Sequence, residues 1–194
     1  MISKEILEKM YIRKGMSVQN IADKLGYSRR GVKYWLDKYG IKSRTMSEAI
    51  YLWHNPNGDP FEFTRPKTMK EAKLFGLGLG LYWGEGTKSN KHCIRLGNTD
   101  PNLINKFIEF LERIFGINRK DLKFGLQIFT DINVHEALTY WTKALRVDKK
   151  QFQVPVVTKS GSLGTYRKKS QYGVVTVHYN NKKARDILVS LLPM

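Results

Sequence analysis

The sequence predicts an α+β fold in two parts: a small all-α module over residues 1–54 and a larger mixed α/β module over residues 69–194, joined by a linker at 55–68. Three observations predict it. Apolar residues recur at helical spacing through residues 3–44 with no strand-like alternation. The stretch NPNGDPFEFTRPKT then brings Pro56, Gly58, Pro60 and Pro66, which break regular structure. Beyond it, segments with a 3.6-residue apolar period alternate with period-two runs, the pattern of helices laid on an antiparallel or mixed sheet.

A chain of 194 residues with 41% hydrophobic content can bury a real core. Its net charge of +17 and a pI near 9.9 point to a polyanionic partner. The single cysteine, Cys93, excludes an internal disulfide and any cysteine-based zinc site. The N-terminal MISKEILEKMYIRKG has no apolar signal core, which with the lone cysteine predicts a cytoplasmic location. His54, His92, His135 and His178 have no metal-ligand spacing and read as structural or solvent-facing.

In the first module, Ile6, Leu7, Met10 and Tyr11 give a helix an apolar stripe that ends at Gly15. Ser17 caps a second helix with Ile21, Ala22 and Leu25 inward. Gly26 turns the chain, and Ser28 caps a third helix with Val32, Trp35 and Leu36 inward. The spacing S-x3-IA-x2-LG-x-S-x3-V-x2-WL resembles the helix-turn-helix of many DNA-binding proteins. Arg29, Arg30, Lys33, Tyr34 and Lys38 lie on or near the outer side of the third helix, where a recognition helix meets bases and phosphates. Ser47 to Trp53 reads as one more helix before the linker.

The second module is organised around LFGLGLGLYWG, Leu74 to Gly84, and the acid that follows, Glu85. As a helix it is costly, because each interior glycine loses on the order of 1 kcal/mol relative to alanine. Gly76, Gly80 and Gly84 recur at i, i+4 and i+8, which lines one side with a smooth groove for close approach of another backbone. Leu77, Leu81, Phe75, Tyr82 and Trp83 are expected in the core. Charged residues bound the run at Lys70, Glu71, Lys73, Glu85 and Lys88, which leaves it too short to span a bilayer. No Lys-Ser/Thr pair follows in the spacing of a phosphate loop. Glu85 falls in the last turn, with Gly86 ready to end the helix, so an anion sits where the dipole is already negative and carbonyls lack partners. That arrangement calls for a cation. Two such helices packed in parallel through their glycine faces would bring two acids and their neighbouring carbonyls into an oxygen-lined site suited to Mg²⁺.

Further on, Cys93 to Asn98 reads as a strand, and Asp100-Pro101 as the cap and first turn of a helix with Leu103, Ile104, Phe107, Ile108, Leu111, Ile114 and Phe115 at a 3.6 period. Leu122, Phe124, Leu126 and Ile128 alternate with Lys123, Gly125 and Gln127, as in a strand with one wet face. Ala137 to Leu145 is a helix, Phe152 to Val157 and Tyr172 to Tyr179 are strands, and Ala184 to Leu192 closes the chain as a helix. On the free sheet face the sequence places Arg95, Lys123 and Gln127, with Lys159, Arg167, Lys168 and Lys169 in the neighbouring loop TKSGSLGTYRKKSQ, as phosphate contacts.

GLGLYWGEG, Gly78 to Gly86, resembles the LAGLIDADG motif of the homing endonuclease family: Gly80 and Gly84 stand at the small packing positions, Leu81 at the core position and Glu85 at the acid position. Gly78 departs from it, standing where the family has leucine. The order of elements over residues 70–194 resembles the single-motif module, whose saddle-shaped antiparallel sheet straddles duplex DNA.

The resemblance implies a homodimer joined through Gly76, Gly80 and Gly84, with Glu85 as the catalytic acid and Glu85 and the Gly84 carbonyl as ligands of Mg²⁺, or of another divalent cation such as Mn²⁺. It implies double-stranded DNA as partner, with no membrane and no small-molecule substrate, and a roughly palindromic site. Lys88, Lys91 and Lys168 are candidates beside the phosphate. The expected function is a site-specific, metal-dependent double-strand DNA endonuclease. The alternative is a transcription regulator that keeps the fold without cutting, and an RNA-splicing maturase is a third choice.

Overall fold

The computed structural model describes residues 1–160 and 171–193, and the chain divides into two units, Met1–Pro60 and Phe61–Met194. Every regular element of the first unit is a helix. Ser3 caps α1 (Lys4–Leu7), which widens without a break into a π-helical segment, Glu8–Arg13. Widening and ending leave carbonyls without helical partners. Arg44 covers them. Its guanidinium donates to the Gly15 and Met16 carbonyls at 3.1 and 3.0 Å and to the Tyr11 carbonyl, and lies over the Tyr11 ring, 4.0 Å from its centroid.

Ser17 caps α2 (Val18–Leu25), which stops at Gly26 in the left-handed region at φ 68°, and Ser28 caps α3 (Arg29–Lys38). Ile2, Leu7, Met10, Tyr11, Ile21, Ala22, Val32, Leu36 and Ile41 form the core. Ile6, expected on that stripe, is instead exposed, and Leu25 and Trp35 are only partly buried against it. The fourth helix, α4 (Met46–His54), is held by a capping box between Thr45 and Glu48 and buries none of its residues.

The second unit begins earlier than the proline-rich stretch suggests. Phe61 is buried, and the Glu62 and Thr64 N–H groups donate to the Phe115 and Ile114 carbonyls, both at 2.9 Å. Residues 61–64 thus close the end of a later helix instead of linking. The glycine helix α5 (Met69–Glu85) starts with a capping box between Thr68 and Glu71. There follow β1 (Ile94–Asn98), α6 (Pro101–Phe115), β2 (Lys123–Phe129), α7 (Val134–Leu145), β3 (Val156–Thr158), β4 (Val174–Tyr179) and α8 (Lys182–Ser190). Asp100 caps α6 with Pro101 in its first turn, and Gly116 ends it at φ 60°.

The described strands form one sheet in the order β1-β4-β2-β3. β4 is antiparallel to both β1 and β2, but β2 and β3 run parallel, so the sheet is mixed, as the alternation of helices and strands allowed, and not the antiparallel sheet that the resemblance implies. The reason is the route: β3 is reached from β2 through α7, and a crossover by way of a helix returns a strand in the same direction. Ile94, Leu96, Phe124, Leu126, Ile128, Val175, Val177 and Tyr179 face a core that includes Phe107, Phe110 and Phe115 of α6. Trp141 of α7 is fully buried there, its indole N–H donating to the Tyr172 carbonyl at 2.8 Å. Among the described residues no helix is long and apolar enough to cross a membrane.

Candidate functional site

The glycines of α5 divide by the face they occupy. Among the described residues, a Cβ built on Gly76, Gly80 or Gly84 would meet nothing within 4 Å, whereas one on Gly78 would lie 2.2 Å from Phe110 Cγ. Gly78 is therefore the point at which α5 closes on α6. Tyr82 shares this inner face: fully buried, it stacks on Phe107 with centroids 5.9 Å apart, and burial raises its hydroxyl above the usual tyrosine range.

Leu77 and Trp83, expected in the core, are instead exposed, at 47% and 55%. With one face of α5 spent on α6, Cβ atoms built on Gly76, Gly80 and Gly84 of the opposite face meet no described residue within 4 Å. Gly76, Leu77, Gly80, Trp83 and Gly84 make a continuous outward stripe of small and apolar residues, and Glu85 is exposed at its end.

The end of α5 is fastened to the sheet. Gly86 takes an extended conformation, φ −74° and ψ 143°, and bridges Leu96, while the Thr87 N–H donates to the Arg95 carbonyl at 2.9 Å. Only glycine fits here, because a Cβ would lie 2.4 Å from the Tyr82 carbonyl oxygen. Lys88 Nζ donates to the Trp83 carbonyl, so a cation already caps this terminus. Arg185 of α8 pins the loop: Nη2 donates to the Lys88 carbonyl at 2.8 Å and Nε to the Asn90 carbonyl at 3.1 Å.

Among the described residues no three His, Cys, Asp or Glu side chains gather as a metal site. One chain offers a divalent cation the Glu85 carboxylate and the Gly84 carbonyl, which has no residue four positions on in the helix to bond it. These are hard oxygens of the kind Mg²⁺ takes, and Mg²⁺ is commonly held by one or two carboxylates completed by substrate phosphates and water. Two oxygens from one chain fit this chemistry but are too few to complete a coordination shell.

Strand pairing sets the outer sheet face. Arg95, His178 and Lys123 stand opposite one another in one row across β1, β4 and β2; Gly97, Thr176 and Gly125 make the next. Gln127 lies further along β2, its amide donating to Thr158 Oγ1 at 3.4 Å. Arg95 Nε reaches Cys93 Sγ at 3.1 Å. Lys123 and Lys91 are exposed and Lys88 is partly buried. Arg167, Lys168 and Lys169 lie outside the described residues. His178, read from the sequence as structural or solvent-facing, is buried: strand alternation through Val175, Val177 and Tyr179 puts it on the outer face, and its place between Arg95 and Lys123 depends on pairing.

In the first unit Arg29, Arg30, Lys33 and Lys38 are exposed along α3, beside Tyr34, and Lys38 Nζ lies 4.8 Å over the Trp35 ring.

Compared with known proteins, the chain matches no family model, no curated protein and no solved structure.

Proposed function

We propose that the protein is a site-specific, metal-dependent double-strand DNA endonuclease of LAGLIDADG type, working in the cytoplasm as a homodimer whose N-terminal helices act as a helix-turn-helix. One observation carries this reading: the outward stripe Gly76, Leu77, Gly80, Trp83 and Gly84 ends on the exposed carboxylate of Glu85. A helix interior rich in glycine is costly by itself, and close packing of a second copy would offset that cost.

In the dimer each chain would contribute Glu85 and the Gly84 carbonyl to Mg²⁺ or Mn²⁺. The bound cation would polarise a phosphoryl oxygen and lower the pKa of water. The residues of the chain do the rest: Arg95 and Lys123 hold phosphates against the sheet, and Arg29, Arg30, Lys33 and Lys38 add contacts from α3. Two copies present two acids, one for each strand, so the target would be roughly palindromic.

A second reading, a DNA-binding regulator that does not cut, is favoured by the Lys88 ammonium already set on the Trp83 carbonyl, where it competes with a metal for the same helix end. One experiment separates the two. Linear DNA carrying the native flanking locus is incubated with Mg²⁺ and either wild type or Glu85→Gln. The endonuclease reading expects cleavage by wild type alone, with equal binding by both. Equal binding with no cleavage by either leaves the regulator.

A further inference from the structure

The outer sheet face carries a histidine that the proposed nuclease reading does not use. His178 is 8% exposed, and its ring reaches over Gly125 of β2, with Nε2 3.2 Å and Cε1 3.9 Å from where a Cβ would stand. A Cβ there would press on the ring, which would have to give by a few tenths of an ångström. Thr176 leans the other way, its Oγ1 2.9 Å from the corresponding point on Gly97. Among the described residues, Arg95 of β1 and Lys123 of β2 are its partners across the sheet, the neutral amide of Gln153, which precedes β3, has Oε1 3.9 Å from the same point on Gly125, and Thr176 is the polar neighbour on the same face of β4. Both charged neighbours are cations. Burial first, and then the charge of Arg95, hold the imidazole below the usual histidine range, so in the free protein it is neutral at neutral pH.

An anion laid across this row changes the balance. A phosphodiester within reach of Arg95 and Lys123 offsets the positive charge that opposes protonation, and it gives an imidazolium N–H a charged acceptor. We propose that Arg95, His178 and Lys123 form a single phosphate-binding row for the duplex backbone, with His178 charging as the phosphate arrives. This rests on the reading of the sheet as the DNA face. It adds that binding is coupled to uptake of one proton at a named residue.

The test is fluorescence anisotropy with a labelled mixed-sequence duplex at constant salt between about pH 8 and pH 6, the range in which histidine titrates. Wild type should bind more tightly as pH falls, by up to about tenfold per pH unit for one coupled proton. His178→Gln, whatever its affinity at the alkaline end, should lose that part of the slope. Parallel profiles for the two proteins would overturn the proposal while leaving the DNA face intact. Arg95→Gln and Lys123→Gln address the underlying reading: if neither weakens binding at any pH, the sheet is not the DNA face and both inferences fall. Should His178→Gln fail to fold, the ring C–H resonance of His178 in wild type decides. A titration midpoint that rises when duplex is added supports the row, and an unchanged one removes it.

Discussion

Two glycines on one helix should respond to the same substitution with opposite signs. Gly78→Ala places a methyl 2.2 Å from Phe110 Cγ, 2.3 Å from Cδ2 and 2.7 Å from Cδ1. Carbon atoms rest at about 3.5–4 Å, so α5 must lift by roughly an ångström or the ring must turn. Phe110 has no room to turn, being fully buried with Phe75, Phe107 and Phe115 at centroid distances of 6.3, 5.8 and 5.6 Å. Overpacking of this kind costs about 1–3 kcal/mol or more, and the better helix propensity of alanine returns only about 1 kcal/mol. The close contact puts Gly78→Ala at the upper end, with a net loss of about 2 kcal/mol.

At Gly76 the methyl meets nothing within 4 Å, so only the propensity gain of about 0.5–1 kcal/mol remains. Amide exchange of α6 as a function of urea reads the second unit alone, and the two variants should shift in opposite directions from wild type. A Gly78→Ala protein as stable as wild type would refute the reasoning. Concentration adds a check on pairing: if two copies meet through this face, the gain from Gly76→Ala should shrink as the protein is concentrated.

Thr68→Ala removes the acceptor of the Glu71 N–H bond at 3.2 Å and should cost about 0.5–2 kcal/mol, seen as faster amide exchange in the first turn of α5. Trp141→Phe leaves the Tyr172 carbonyl without its donor and a void in the core; a loss of about 2–4 kcal/mol in chemical denaturation is expected, and a change near zero would contradict the packing. The depressed pKa of His178 also sets a pH dependence of folding. The unfolded chain binds the proton first, so this contribution is complete above about pH 6.5 and is lost as pH falls from there toward the lower folded value. Melting temperatures of wild type should drop over that window relative to those of His178→Gln, and parallel curves would count against a buried neutral ring.

Much of the local structure follows from near neighbours in the chain. Ser17, Ser28, Asp100 and Gly26 stop and start helices through hydrogen bonds and dihedral freedom confined to a few residues. The alternation from Leu122 to Ile128 assigned the buried and wet sides of β2 before any partner was known. Sequence also carried the i, i+4, i+8 register of Gly76, Gly80 and Gly84 with an acid at its end.

What lay beyond it were choices made by distant residues. Gly78 looked like one more member of the glycine run until Phe110 of α6 filled the space beside it, and the same contact turned Leu77 and Trp83 outward. The parallel pairing of β2 with β3, the closing of α6 by residues 61–64, and the row of Arg95, His178 and Lys123 are of that kind. Periodicity tells a chain which sides of an element differ. Only packing between segments far apart in sequence decides which side is covered and which charges meet, because desolvation and steric exclusion depend on whatever arrives there.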